Sequence, residues 1–138
     1  MKTTTLITLL VLTCAMDVHS QVAIIANSSV SESSMTAEQL LDICLLETRT
    51  WSNGKAIELM LLRDNSPEEK QFYEFLGRTP LEMRKVWLRA QLSGQARPPV
   101  QITSQEELVR RVEVTPGAMG FVNKQKIRGN VKILLLLE

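Results

Sequence analysis

The stretch Ile57–Gly77, IELMLLRDNSPEEKQFYEFLG, constrains the fold of this chain more than any other. It opens as an apolar run, Ile57 followed by Leu59 to Leu62, with the length of one buried strand. Arg63-Asp64-Asn65 breaks the run with three polar residues that favour a turn. Ser66-Pro67-Glu68-Glu69 comes next: a hydroxyl at the N-cap, proline at the first helical position and Glu three residues after the cap form a capping box. Phe72, Phe75 and Leu76 then share one helix face, and Gly77 closes the helix. Strand, short polar loop and helix start make up the repeating unit of an α/β protein. At such a junction, backbone N–H groups and the positive end of the helix dipole attract anions. Arg63 stands at the lip as a candidate oxyanion clamp, while Glu68 and Glu69 put negative charge where an anion would sit.

The pattern recurs along the chain. Thr36-Ala37-Glu38-Gln39, Thr79-Pro80-Leu81-Glu82 and Ser104-Gln105-Glu106-Glu107 are three more capping boxes, each leading into apolar residues at helical spacing. Short strands are expected at Val22–Ala26, Val100–Ile102, Ala118–Val122 and Val131–Leu137. Gly120 inside one of them marks a place where another backbone approaches closely. Strands alternating with helices predict an α/β fold: a mostly parallel sheet of about five strands covered on both faces by about four helices. Ser28 follows the first strand, and the carboxyl ends of strands are where open α/β sheets receive ligands. Ser28 therefore joins the candidate contacts by position. Trp51, in a loop before Asn53-Gly54, is expected to cover a core edge with its N–H in water.

Residues 1–20 have the makeup of a cleavable secretory signal: Lys2, an apolar core Leu6–Val11 extending towards Ala15, and Val18 and Ser20 at the −3 and −1 positions. Removing them from 138 residues leaves 118, residues 21–138, enough for one modest core and with no transmembrane span. That domain carries 15 basic and 14 acidic residues, since Lys2 and Asp17 leave with the signal, and gives no sign of nucleic-acid binding. His19 and Cys14 leave too. A domain without His runs no Ser-His-Asp or Cys-His chemistry and builds no His-based zinc site, and no metal or other cofactor is expected. Cys44 has no partner for an intrachain disulfide and sits among Leu40, Leu41, Ile43 and Leu45 as a buried thiol.

Five motifs in order resemble a family. They are Thr36–Leu46 (TAEQLLDICLL), Trp51-Ser52-Asn53-Gly54, Arg63 followed by Ser66 and Phe72, Trp87, and Thr115–Val122 (TPGAMGFV). Together they resemble the phosphate-type substrate-binding proteins of bacterial ABC transporters, in particular short single-lobe relatives. The resemblance implies one periplasmic-binding-protein-like lobe, non-catalytic, periplasmic or secreted and linked to phosphate uptake. Phosphate or a similar oxyanion would be held weakly by Arg63 and Ser66, with an envelope protein or transporter as partner. Two departures stand in the loop. Where the full-length family carries Ser-Gly-Thr, this chain has Ser66-Pro67-Glu68, which deletes an N–H donor and replaces a hydroxyl with a carboxylate. Glu47 also stands where the family usually has Gly at a helix end. The alternative is a ligand-free interaction module of the cell envelope that keeps the fold and has lost the anion.

Overall fold

A computed structural model describes residues 21–138; the expected signal segment, with Cys14 and His19, lies outside the described residues. The elements run β1 (Val22–Asn27), α1 (Ala37–Cys44), β2 (Glu58–Leu62), α2 (Pro67–Leu76), α3 (Pro80–Leu92), β3 (Val100–Ile102), α4 (Gln105–Val114), β4 (Ala118–Asn123), a 3₁₀ turn (Lys124–Lys126) and β5 (Val131–Leu137). The five strands form one sheet in the order β3-β2-β4-β1-β5. β2 pairs in parallel with both β3 and β4, whereas β1 lies antiparallel to both β4 and β5. Four strands therefore run one way and β1 runs against them. The expected mostly parallel α/β sheet is present, as a mixed sheet with one reversed strand.

Helices cover both faces, as the side chains of β4 make clear. Adjacent residues in a strand point to opposite faces. Phe121 stacks on Phe72 of α2, ring centroids 4.0 Å apart and planes 6° from parallel. A Cβ on Gly120 would instead lie 2.8 Å from Cδ2 of Leu108 in α4 and 2.6 Å from the Met60 carbonyl oxygen. So α2 packs on one face and α4 on the other, and Gly120 lets α4 and β2 close on the sheet. α1 packs beside α2, and α3 is tied to α1 by the Trp87 Nε1–H, which donates to the Cys44 carbonyl at 2.8 Å. Every residue of β1 is buried, and in β2 all but Glu58, as expected of central strands walled on both sides.

Helix starts follow the sequence closely. Thr36 and Thr79 form complete capping boxes. Ser66 and Ser104 each accept from the N3 backbone N–H, but the return bond is missing in both. Around Ser66, the Asp64 carboxylate takes the Ser66 N–H at 3.0 Å, so Glu69 slips back one residue and accepts from the Asn65 N–H at 2.8 Å. In α4, Glu107 turns instead to Arg110. α1 ends with Leu46 at φ 62°, the left-handed position that glycine favours, one residue before Glu47.

Candidate functional site

The carboxyl ends of β2, β3 and β4 lie side by side, and the amino ends of α2 and α4 rise from them. This edge is where an open α/β sheet offers backbone donors and helix dipoles to a ligand. Arg63 leaves β2 with its N–H donated to the Ile102 carbonyl at 2.8 Å, one step beyond the strand. Its exposed guanidinium donates through Nη1 to Gln101 Oε1 at 2.8 Å, and among the described residues it has no carboxylate partner. A half-open groove of about 690 Å³ runs from this loop along α2 to α3; Arg63, Ser66, Lys70, Tyr73, Arg84 and Trp87 are among its walls. Burial, followed by the nearby Glu69 carboxylate, pushes the Tyr73 hydroxyl up to about 12, so it stays neutral there.

Several of the loop's own donors are spent internally. The Asn65 N–H goes to Glu69 and the Ser66 N–H to Asp64, Pro67 has none, and the Glu69 N–H goes to Ser66 Oγ at 3.2 Å. Glu68 turns inward and is only 7% exposed. Its Oε1 accepts from Asn123 Nδ2 at 2.9 Å, at the carboxyl end of β4. Asn123 is held in turn by its N–H, which donates to Gln105 Oε1 at 2.7 Å, in the first turn of α4. Burial raises the pKa of Glu68. Hydrogen bonds from Asn123, its own backbone N–H, Ser66 and Gln105 outweigh that and hold it below the usual carboxylate range. A carboxylate of the chain itself thus lies between the starts of α2 and α4.

Of the expected contacts, Arg63 and Ser66 come together on this loop and Ser28 does not. The reversed direction of β1 accounts for the difference: Val22 faces Asn123 and Ala26 faces Met119, so the carboxyl end of β1 lies at the opposite edge of the sheet. Ser28 is exposed there. Its neighbour Ser29 accepts the Gly117 N–H at 3.0 Å, and Trp51 Nε1 donates to the Gly117 carbonyl at 2.9 Å. Trp51 is therefore a packing residue as expected, but its N–H is bonded within the protein. Asn27 Nδ2 bridges the carbonyls of Val112 and Glu113, both at 2.8 Å. These bonds fasten the WSNG and TPGAMGFV segments to the end of β1 as a structural clasp. Nothing local in the sequence assigns Asn123 or Gln105 to this site; their only signal is an amide at a strand end beside a helix start. Cys44 is buried, and burial pushes its thiol up to about 12. Among the described residues no cluster of three or more His, Cys, Asp or Glu could hold a metal ion, and no helix is long and apolar enough to cross a membrane.

This topology is similar to that of one lobe of a substrate-binding protein. More specifically, the chain has the fold found in phosphate-binding proteins of ABC transporters. It superposes on an ABC-type phosphate transport receptor from Vibrio cholerae with a TM-score of 0.65 and 19% identity, over 82% of this chain and 44% of that one. A protein from Clostridium perfringens solved with bound phosphate gives a TM-score of 0.68 at 15% identity, over 83% and 45%. PstS from Borrelia burgdorferi gives 0.61 at 16%, over 83% and 47%. The chain spans less than half the length of each of these structures. No family model and no curated protein matches the sequence.

Proposed function

We propose that this protein is a non-catalytic, exported lobe of the substrate-binding-protein type that works as an interaction module of the cell envelope. In this reading its own Glu68 fills the place of the anion. The observation that carries the proposal is the buried Glu68 carboxylate, bonded to Asn123 between two helix starts. A second carboxylate, Glu69, takes the Asn65 N–H, so an incoming phosphate would meet like charge and few free donors. The export signal expected in residues 1–20 supports a periplasmic or secreted location.

A second reading has one observation in its favour. Among the described residues Arg63 has no carboxylate partner, and it faces the groove with Ser66, which would allow weak binding of phosphate or a similar oxyanion there. That reading would link the protein to phosphate uptake and to a transporter partner.

Calorimetric titration of phosphate and sulfate into the wild type and Glu68→Gln separates the two. The interaction reading expects no heat from the wild type at millimolar anion, and measurable heat from the variant, whose neutral amide no longer repels an anion. Wild-type binding with a raised melting temperature, both lost in Arg63→Ala, would overturn it and establish the oxyanion reading.

A further inference from the structure

The outer face of α3 carries a row of residues that neither the core nor the loop uses. Leu81, Leu88 and Leu92 are 57, 54 and 79% exposed, on a helix whose opposite side already buries Met83 and Trp87. With Lys85 between them, they recur at spacings of four, three and four. At 3.6 residues per turn the four fall within a stripe roughly 60° wide and about 16 Å long. A row one side chain wide with alternating spacing matches a coiled-coil seam, and is too narrow for the broad face of a core helix. In seam terms Leu81 and Leu88 take d positions, and Lys85 and Leu92 take a positions. Arg84, Arg89, Glu82 and Gln91 then flank the row at e and g.

The charges indicate what would cover it. Arg84, Lys85 and Arg89 are exposed, and the ion pairs among the described residues are Lys70–Glu74, Arg110–Glu107 and Lys126–Glu106, so none of the three is neutralised. Glu82, the one acid on the helix, is turned back to accept the Thr79 N–H in the capping box. We propose that this row is a docking seam for one amphipathic helix of another protein, with aliphatic residues along its seam and acidic residues beside them. A second copy of this chain would bring three more cations to the same row, which like-charge repulsion opposes. A bilayer surface takes a broad apolar face, and the other side of α3 is committed to the core. The inference deepens the interaction reading, yet the two fail separately: anion heats bear on the loop, and the seam assay bears on α3.

The test uses the folded protein and two labelled helical peptides, one with a leucine seam flanked by Glu and one with Lys in place of Glu, read by fluorescence anisotropy. The wild type should bind the Glu-flanked peptide on the order of tenfold tighter than the Lys-flanked one. Leu88→Glu should weaken that binding by at least about tenfold with its melting temperature unchanged, because Leu88 is exposed. The double variant Lys85→Glu/Arg89→Glu should reverse the preference. Equal affinity for both peptides, or none, would overturn the proposal. So would a Leu88-dependent dimer in sedimentation, or Leu88-dependent binding to phosphatidylglycerol vesicles with the Glu-flanked peptide ignored.

Discussion

Replacing Glu68 with alanine removes the carboxylate that accepts from Asn123 Nδ2 at the start of α2. A hydrogen bond to a charged group contributes about 1.5–3 kcal/mol. The favourable charge at the helix start adds about 0.3–1 kcal/mol. Relief of the cost of burying the carboxylate offsets part of this and leaves a net loss of about 2 kcal/mol. For a domain of this size each kcal/mol moves the melting temperature by roughly 4 °C, so Glu68→Ala should melt about 8 °C below the wild type at neutral pH. Glu68→Gln keeps an acceptor for Asn123 and should lose about half as much. The pH dependence has a definite sign. The folded pKa lies below the ordinary value of 4.5, so the stabilisation is complete above that value and is lost as pH falls through the folded pKa. Thermal unfolding followed by circular dichroism at pH 7 and pH 3 measures both effects: the gap between wild type and Glu68→Ala should be wider at pH 7 than at pH 3. A gap of less than a degree or two at pH 7, or one of the same width at both, would refute the role given to this carboxylate.

Three further outcomes follow from the packing. Gly120→Ala would drive a Cβ to 2.6 Å from the Met60 carbonyl oxygen, which as backbone in the adjacent strand has little room to yield. It should cost at least about 1–3 kcal/mol, seen as a lower urea midpoint; an unchanged midpoint would contradict the close approach of β2 and β4. Trp51→Phe removes the indole donor from the Gly117 carbonyl, which keeps the Glu58 N–H at 3.1 Å, and should cost about 0.5–1.5 kcal/mol, checked by the same unfolding curve. Cys44, with its thiol pushed up to about 12 by burial, should react with a thiol-specific disulfide reagent only once the protein unfolds. Prompt reaction in native buffer would place the thiol at the surface.

The elements were readable because their signals are local. Each N-cap hydroxyl expected from the sequence accepts its N3 N–H, and the apolar runs became strands. Strand direction is a different kind of fact. Val22–Ala26 has an apolar run that fits a buried strand of either direction, and only its pairing with β4 and β5 fixes it as reversed. Grouping Ser28 with Arg63 and Ser66 requires a common strand direction, and that single reversal carries Ser28 to the far edge. Glu68 was legible as a charge in the wrong place for a phosphate. Its inward turn was not, because that depends on Asn123, 55 residues away, and on Gln105 beside it.

The position of β1 has a consequence for how the protein comes into being. The first of the described strands to leave the ribosome is flanked in the finished sheet by β4 and β5, with Val22 opposite Asn123 on one side and Leu137 on the other. β2 and β3 can pair while synthesis continues, but β1 stays open along both edges until the last segments of the described chain appear. Closing so long a loop is slow, and an apolar strand waiting unpaired is prone to stray association. A chain cut after Asn130 would leave β1, every residue of it buried in the complete fold, as a bare edge. Of the described strands, the one made first is therefore the one whose two edges are covered last.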